Sequence, residues 1–250
     1  QAAKRTVGNL DGSGFAEVEA SRGESAYVVD LGDCYLASIT ECLGTKVLVA
    51  DEMRAVTGRT YYDQIAQDAV AMAINDLISV GAKPLSLHAY WAAGGSAWFD
   101  DKERMQDLVS GWEAACHLAG VVWGGGETPA LGGVVEADRI DLGAAATGII
   151  SPRERLTIGQ HLQAGDAIIA LASSGIHANG ISLARKLAEQ LPDGYATRLQ
   201  DGRMYGEALL APTIIYARVL EALFAGGIKP HYFSNITGHG WRKLMRHPAD

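Results

Sequence analysis

Apolar residues recur at helical spacing over residues 62–81, where Ile65, Ala69, Met72, Ala73, Leu77 and Val80 share one side. Alanines and Ile74 fill much of the remainder, so the pattern predicts a helix buried on most sides. That helix also carries Asp68, Asn75 and Asp76. At about 100° per residue Asp68 and Asn75 nearly eclipse, while Asp76 lies roughly 80° round. A carboxylate in a core is costly unless it is paired, hydrogen-bonded or metal-bound. Asp76 therefore pairs with an arginine or caps a loop, or else it faces a metal or phosphate. Spacing alone leaves both readings open.

Two β-rich runs at 25–31 and 34–40 flank Gly32-Asp33, a two-residue hairpin signal in which Asp33 serves the turn. TECLGTK at 40–46 forms a polar corner suited to phosphate, although GxxxxGK[ST] spacing is missing and an ordinary turn with a solvated lysine fits equally. A strand over 85–93 and a helix over 100–119 with an acidic start follow. In VVWGGGETPALGG, at 121–133, three glycines after an apolar run demand a sharp turn or a close backbone approach, with Glu127-Thr128 directly behind. A strand over 141–150 ends at Ser151-Pro152-Arg153, which reads as a domain boundary. Beyond it the patterns predict strands over 165–175 and 229–241 and helices over 181–191 and 209–227. Residues 1–24 read as a Gly-bearing loop or arm. At 173–181 a strand, a glycine turn and a helix start present backbone N–H groups to an anion beside His177 and Asn179. The alternative is that these two side chains satisfy their own loop.

The 250 residues are 48% hydrophobic and 20% charged, the composition of a globular protein, and the length suits one large or two ordinary domains. A formal net charge of −8 argues against nucleic acid as the main partner. No run of about 18 apolar residues exists for a transmembrane helix. Three cysteines are too few and too irregularly spaced for a disulfide framework or zinc site, and the chain reads as cytoplasmic.

Six blocks in order carry a resemblance: TECLGTK (40–46), YYDQIAQDAVAMAINDLISVGAKPL (61–85), GGGETPAL (124–131), SSGIHANGISLARK (173–186), LLAPTIIYARVL (209–220) and NITGHGW (235–241). Together they resemble the aminoimidazole ribonucleotide synthetase family, the phosphoribosylformylglycinamidine cyclo-ligases of purine synthesis. Its wider superfamily includes formylglycinamidine ribonucleotide synthetase, selenophosphate synthetase and thiamine-monophosphate kinase.

The resemblance implies a two-domain α/β fold. Its N-terminal domain (25–150) binds ATP and Mg²⁺ and pairs its sheet with a second subunit in a barrel-like homodimer. The C-terminal substrate domain (151–250) follows the arm at 1–24 and this N-terminal domain. At ~100 residues it is shorter than the family's and is expected to be incomplete. The small-molecule substrate would be a phosphoribosyl amidine, its amide oxygen phosphorylated by ATP before ring closure. Carried over by motif, Asp76, Glu127 and Glu41 would hold Mg²⁺. Gly44, Thr45, Lys46, Gly125, Gly126, Thr128, Thr237 and Gly238 would hold the nucleotide. His177, Asn179 and Lys46 would serve catalysis. The chain departs from the family at T-E-C-L-G-T-K, where the pattern is T-D-G-V-G-T-K, and at Thr237-Gly238-His239-Gly240, where it is T-G-G-G. The departures keep two alternatives in view: a sister enzyme phosphorylating another small acceptor, and a nucleotide-binding paralogue without catalysis.

Overall fold

A computed structural model describes residues 2–246. Its centre is one mixed sheet of six strands: β1 (Ala16–Glu17), β2 (Tyr27–Asp30), β3 (Tyr35–Cys42), β4 (Lys83–Ala93), β5 (Val122–Glu127) and β6 (Ile140–Ile150). The spatial order is β1-β2-β3-β6-β4-β5, antiparallel throughout except for the β4–β5 pair. The hairpin expected at Gly32-Asp33 forms, with Asp30 opposite Tyr35 and the Gly32 N–H donating to the Asp30 carboxylate at 2.9 Å.

Helices α1 (Lys46–Thr57), α2 (Tyr62–Ile78) and α3 (Lys102–Ala119) belong to the same half. α3 starts as its acidic sequence predicts, with Asp101 accepting the Arg104 N–H at 3.1 Å, a cap of about 1 kcal/mol. α2 is the core of the molecule. Every residue in it except Asp63, Gln64 and Gln67 is buried, because α2 lies against β3, β6, α1 and α3. The small residues of β6 permit this approach: a Cβ on Gly148 would sit 2.7 Å from the Lys83 carbonyl and 3.1 Å from Leu77. On β4, Leu87, Ala89 and Trp91 are buried on the helix side, whereas His88 and Tyr90 stand on an open face. On that face the hydroxyls of Ser86 and Thr147 meet at 2.7 Å.

The second half departs from its expected strands. Residues 165–175 and 229–241 form none, and among the described residues nothing after Ile150 is a strand. A continuous apolar strand needs neighbours on both sides. Here Ile158 and Tyr232 share only a single bridge, and Ile168 and Ile169 are more than four-fifths exposed. Of the helix expected over 209–227 only α6 (Ala217–Ala225) forms, preceded by α5 (Tyr205–Leu209), which ends where that helix was to begin, while α4 (Ile181–Ala188) forms close to its expected start. Between α5 and α6, Pro212 supplies no N–H, and those of Thr213 and Tyr216 go to side chains of α2 instead of a helical ladder. The N-terminal arm is also more ordered than expected. Residues Ala3–Leu10 form a 3₁₀ helix, β1 extends the sheet edge, and buried Ser21 accepts the Val28 N–H at 3.0 Å.

Candidate functional site

The polar residues of α2 sort into two stripes, as helical geometry requires. Asp68 and Asn75 face residues 211–216. The Asp68 carboxylate accepts from the Thr213 N–H (2.8 Å) and hydroxyl (2.5 Å). Asn75 donates to the Ile214 carbonyl at 2.8 Å and accepts the Tyr216 N–H at 3.0 Å, and Gln67 donates to the Thr213 carbonyl. Lys46, the first residue of α1, completes this seam. Its ammonium lies 2.7 Å from Asp68 and 3.2 Å from the Ala211 carbonyl, and both charged side chains are fully buried. Burial pushes the Lys46 pKa down and the Asp68 pKa up, and each is drawn back by the other's charge. Lys46 is thus neither solvated nor at an open corner, contrary to the expectation from sequence.

Asp76, on the second stripe, accepts from the Asn235 amide at 2.8 Å, so no arginine partner is needed. Strand alternation turns Glu41 of β3 to the same side, near enough for the Asp76 carboxylate to act on its charge. Burial raises the Glu41 pKa, the Asp76 charge raises it further, and Lys243 opposes both. Lys243 is buried and its own pKa is lowered by burial. Sequence reasoning missed this lysine. Its only signal was a basic pair, Arg242-Lys243, after the final glycine motif of an acidic chain.

The three glycines of β5 have separate reasons. A Cβ on Gly124 would come 2.7 Å from the His88 ring, Gly125 has φ +121°, and a Cβ on Gly126 would come 2.1 Å from the Ala89 carbonyl oxygen. The pairing register also shifts here, since Leu87 pairs with Trp123 but His88 with Gly125. Glu127 ends the strand on the rim of an open groove of about 630 Å³, with Thr40, Cys42, His88, Tyr90 and Asp141 around it. Thr128 follows, exposed. Gly44 (φ +73°) and Thr45 are exposed beyond the end of β3, and Thr45 precedes α1 without capping it through its side chain.

His177 adopts φ +59°, an uncommon conformation for a residue with a side chain. Its Nε2 lies 3.2 Å from the Ser174 N–H and 3.0 Å from the Ser174 hydroxyl. Burial pushes its pKa down, Lys46 adds to that, and Asp68 opposes it. Asn179 contacts the Met72 sulfur at 3.8 Å, and its carbonyl oxygen lies 3.3 Å from where a Gly238 side chain would begin. Thr237 is half-buried, and its carbonyl accepts the Gly240 N–H.

Two groups of predicted residues therefore come together: Asp76 with Glu41, and Lys46 with the loop that carries His177. Glu127 stands apart, and among the described residues no three acidic, His or Cys side chains converge tightly enough to hold an ion unaided. Of the expected metal set Asp76, Glu127 and Glu41, the structure brings Asp76 and Glu41 together and leaves Glu127 on the groove rim. Such a pair still fits Mg²⁺, which is commonly held by one or two carboxylates with phosphate oxygens and water completing the octahedron.

Known proteins align with both halves. The profile of the AIR synthase related protein N-terminal domain matches residues 23–150, and that of the corresponding C-terminal domain matches residues 163–243. A phosphoribosylformylglycinamidine cyclo-ligase of Sorangium cellulosum is 39% identical over 229 residues, covering 90% of this chain and 63% of the relative. The one from Thermococcus kodakarensis is 36% identical, covering 90% of this chain and 62% of its own. The chloroplastic/mitochondrial one from Vigna unguiculata is 37% identical, covering 84% and 52%. The chain thus spans between half and two thirds of the length of these relatives. Among solved structures, AaThiL complexed with AMPPCP and TMP superposes with a TM-score of 0.55 at 16% identity, covering 80% of this chain and 56% of that one, a likeness of fold. With the glycine strand, the Asp76 helix and the 211–216 seam all inside the matched regions, the chain belongs to the AIR synthase related protein family.

Proposed function

We propose that this chain carries the ATP-dependent cyclo-ligase chemistry named for its curated relatives, closing the imidazole ring of aminoimidazole ribonucleotide from formylglycinamidine ribonucleotide. The observation that carries the reading is the nearness of Asp76 and Glu41, two motif carboxyls brought together on the helix side of the sheet. It joins identity of 36–39% to the three cyclo-ligases named above. In this reading residues 25–150 form the nucleotide domain and 151–250 the substrate domain.

The substrate's amide oxygen attacks the γ-phosphorus of ATP, breaking its bond to the bridging oxygen and releasing ADP. The resulting imidate phosphate is then attacked at carbon by the internal amine. A proton leaves the nitrogen, the C–O bond breaks, and inorganic phosphate departs. Asp76 and Glu41 would hold Mg²⁺, which when bound supplies charge neutralisation at the phosphates. The N–H groups of Gly125 and Gly126, with Gly44, Thr45 and Thr128, would line the phosphate path, and Thr237 and Gly238 would border it. Such catalysis is mainly positioning and electrostatics. His177, kept neutral near pH 7 by its burial, would take or hold the amine proton, with Asn179 orienting the substrate. Asp76→Asn is expected to lower ADP formation by at least the roughly 10–100-fold seen when a metal site loses even an outer partner. Unaltered ADP release with the amidine substrate would sink the metal role.

A homodimer is part of the same reading. The open sheet face, with Ser38, Thr40, Ala145 and Thr147, lacks the helices that cover the other side and suits a second copy. Sedimentation velocity should show twice the chain mass, and a monomer at assay concentration would remove the dimer. A cytoplasmic location suits an ATP-consuming biosynthetic step; among the described residues no helix is long and apolar enough to cross a membrane. One observation favours a second reading, nucleotide binding without turnover: the Lys46 head is buried against Asp68 and Ala211. Calorimetric binding of ATP·Mg²⁺ with no ADP release across amide substrates would select it.

A further inference from the structure

We propose that Asp68 is a positioning residue for His177, acting through the backbone of residues 211–213. The inference rests on the reading above in one respect only, that His177 faces substrate. An unbroken polar path joins the two. Asp68 holds both the N–H and the hydroxyl of Thr213, and its ion-pair partner Lys46 holds the Ala211 carbonyl. Between them, the Pro212 carbonyl accepts the Ser174 hydroxyl at 2.6 Å. With that proton committed to Pro212, the Ser174 N–H makes Nε2 of His177 the acceptor and leaves the ring proton on Nδ1. Neighbouring contacts have to impose the left-handed backbone of His177, because an L side chain at φ +59° does not settle there unaided. A carboxylate used only to anchor 211–216 would leave the tautomer of a histidine on another loop indifferent to Thr213. A positioning carboxylate would not.

The ¹⁵N shifts of the His177 ring read this directly, without substrate. The native chain should show the single Nδ1–H tautomer. Ser174→Ala, at an exposed position, keeps that N–H but removes the hydroxyl tie to Pro212 that aims it, and Thr213→Val removes one of the two bonds by which Asp68 holds residues 212 and 213, with little change of volume. Both should give a tautomer mixture. In Thr213→Val, kcat should fall about tenfold or more with the KM for ATP within about twofold, and Thr213→Ser should restore both readouts. If Ser174→Ala shifts the tautomer while Thr213→Val leaves tautomer and kcat unchanged, His177 is fixed by its own loop and the proposal is overturned. Should Thr213→Val fail to fold, the double variant Lys46→Met with Asp68→Asn, which has no unpaired charge, replaces it under the same two outcomes. Absence of ADP formation by the native chain would count against the cyclo-ligase reading and leave the tautomer comparison to decide the role of Asp68.

Discussion

Lys46→Met is expected to lower the unfolding free energy by about 3–5 kcal/mol, the cost of leaving a buried carboxylate without its counter-charge. Lys46 and Asp68 are both fully buried, 2.7 Å apart, and no solvent reaches either to screen the survivor. The Thr213 N–H and hydroxyl remain on Asp68 and offset part of this, which places the expectation at the lower end of the range. Adding Asp68→Asn should recover most of the loss, since a neutral pair of similar volume has no charge to strand. Urea titration of the native chain, both single variants and the double variant closes the cycle. If the double variant is no more stable than Lys46→Met alone, the pair is not the coupled unit described.

Gly126→Ala should destabilise by about 3 kcal/mol, at the upper end for an overpacked core. Its Cβ would meet the Ala89 carbonyl oxygen at 2.1 Å and the Ala89 N and C at 2.8 Å. All three are backbone atoms of β4, so no side chain can move aside, and relief requires opening the parallel β4–β5 pair. Gly125→Ala is the control. Nothing lies within 4 Å of its Cβ, and only the φ of +121° opposes it, an order of 1–3 kcal/mol. Thermal or urea unfolding should rank Gly126→Ala as the worse. Equal tolerance of the two would mean that close approach to Ala89 does not explain the glycine.

The first half of the chain was legible because its signals are local. Helical spacing placed α2, Asn-and-Asp geometry separated its two polar stripes, and the glycine run correctly announced a backbone approach. What the pattern could not supply was the partner of each polar group. Asp68 finds Lys46 and Thr213, and Asp76 finds Asn235 and Glu41, all from other elements. The second half failed for a related reason. Apolar runs such as 165–175 satisfy strand periodicity, but a strand exists only where another edge receives its hydrogen bonds, and periodicity says nothing of that edge. The segment 211–216 reads as helix from its apolar spacing and forms none, because α2 captures the Thr213 and Tyr216 N–H groups. In each case tertiary demand outweighed local preference.

The seam on α2 also sets an order of events. Asp68 is made 145 residues before the Thr213 that satisfies it, and Asn75 is made 141 before Tyr216. At roughly 5–20 residues per second, synthesis leaves a gap on the order of ten seconds between them. Throughout it, the polar stripe of the most buried helix has Lys46 but none of its backbone partners. The N-terminal sheet and its helices therefore close around an unfinished face, and residues 211–216 arrive as its last layer. Closing so long a loop is entropically slow, which makes docking of this segment a late step of folding.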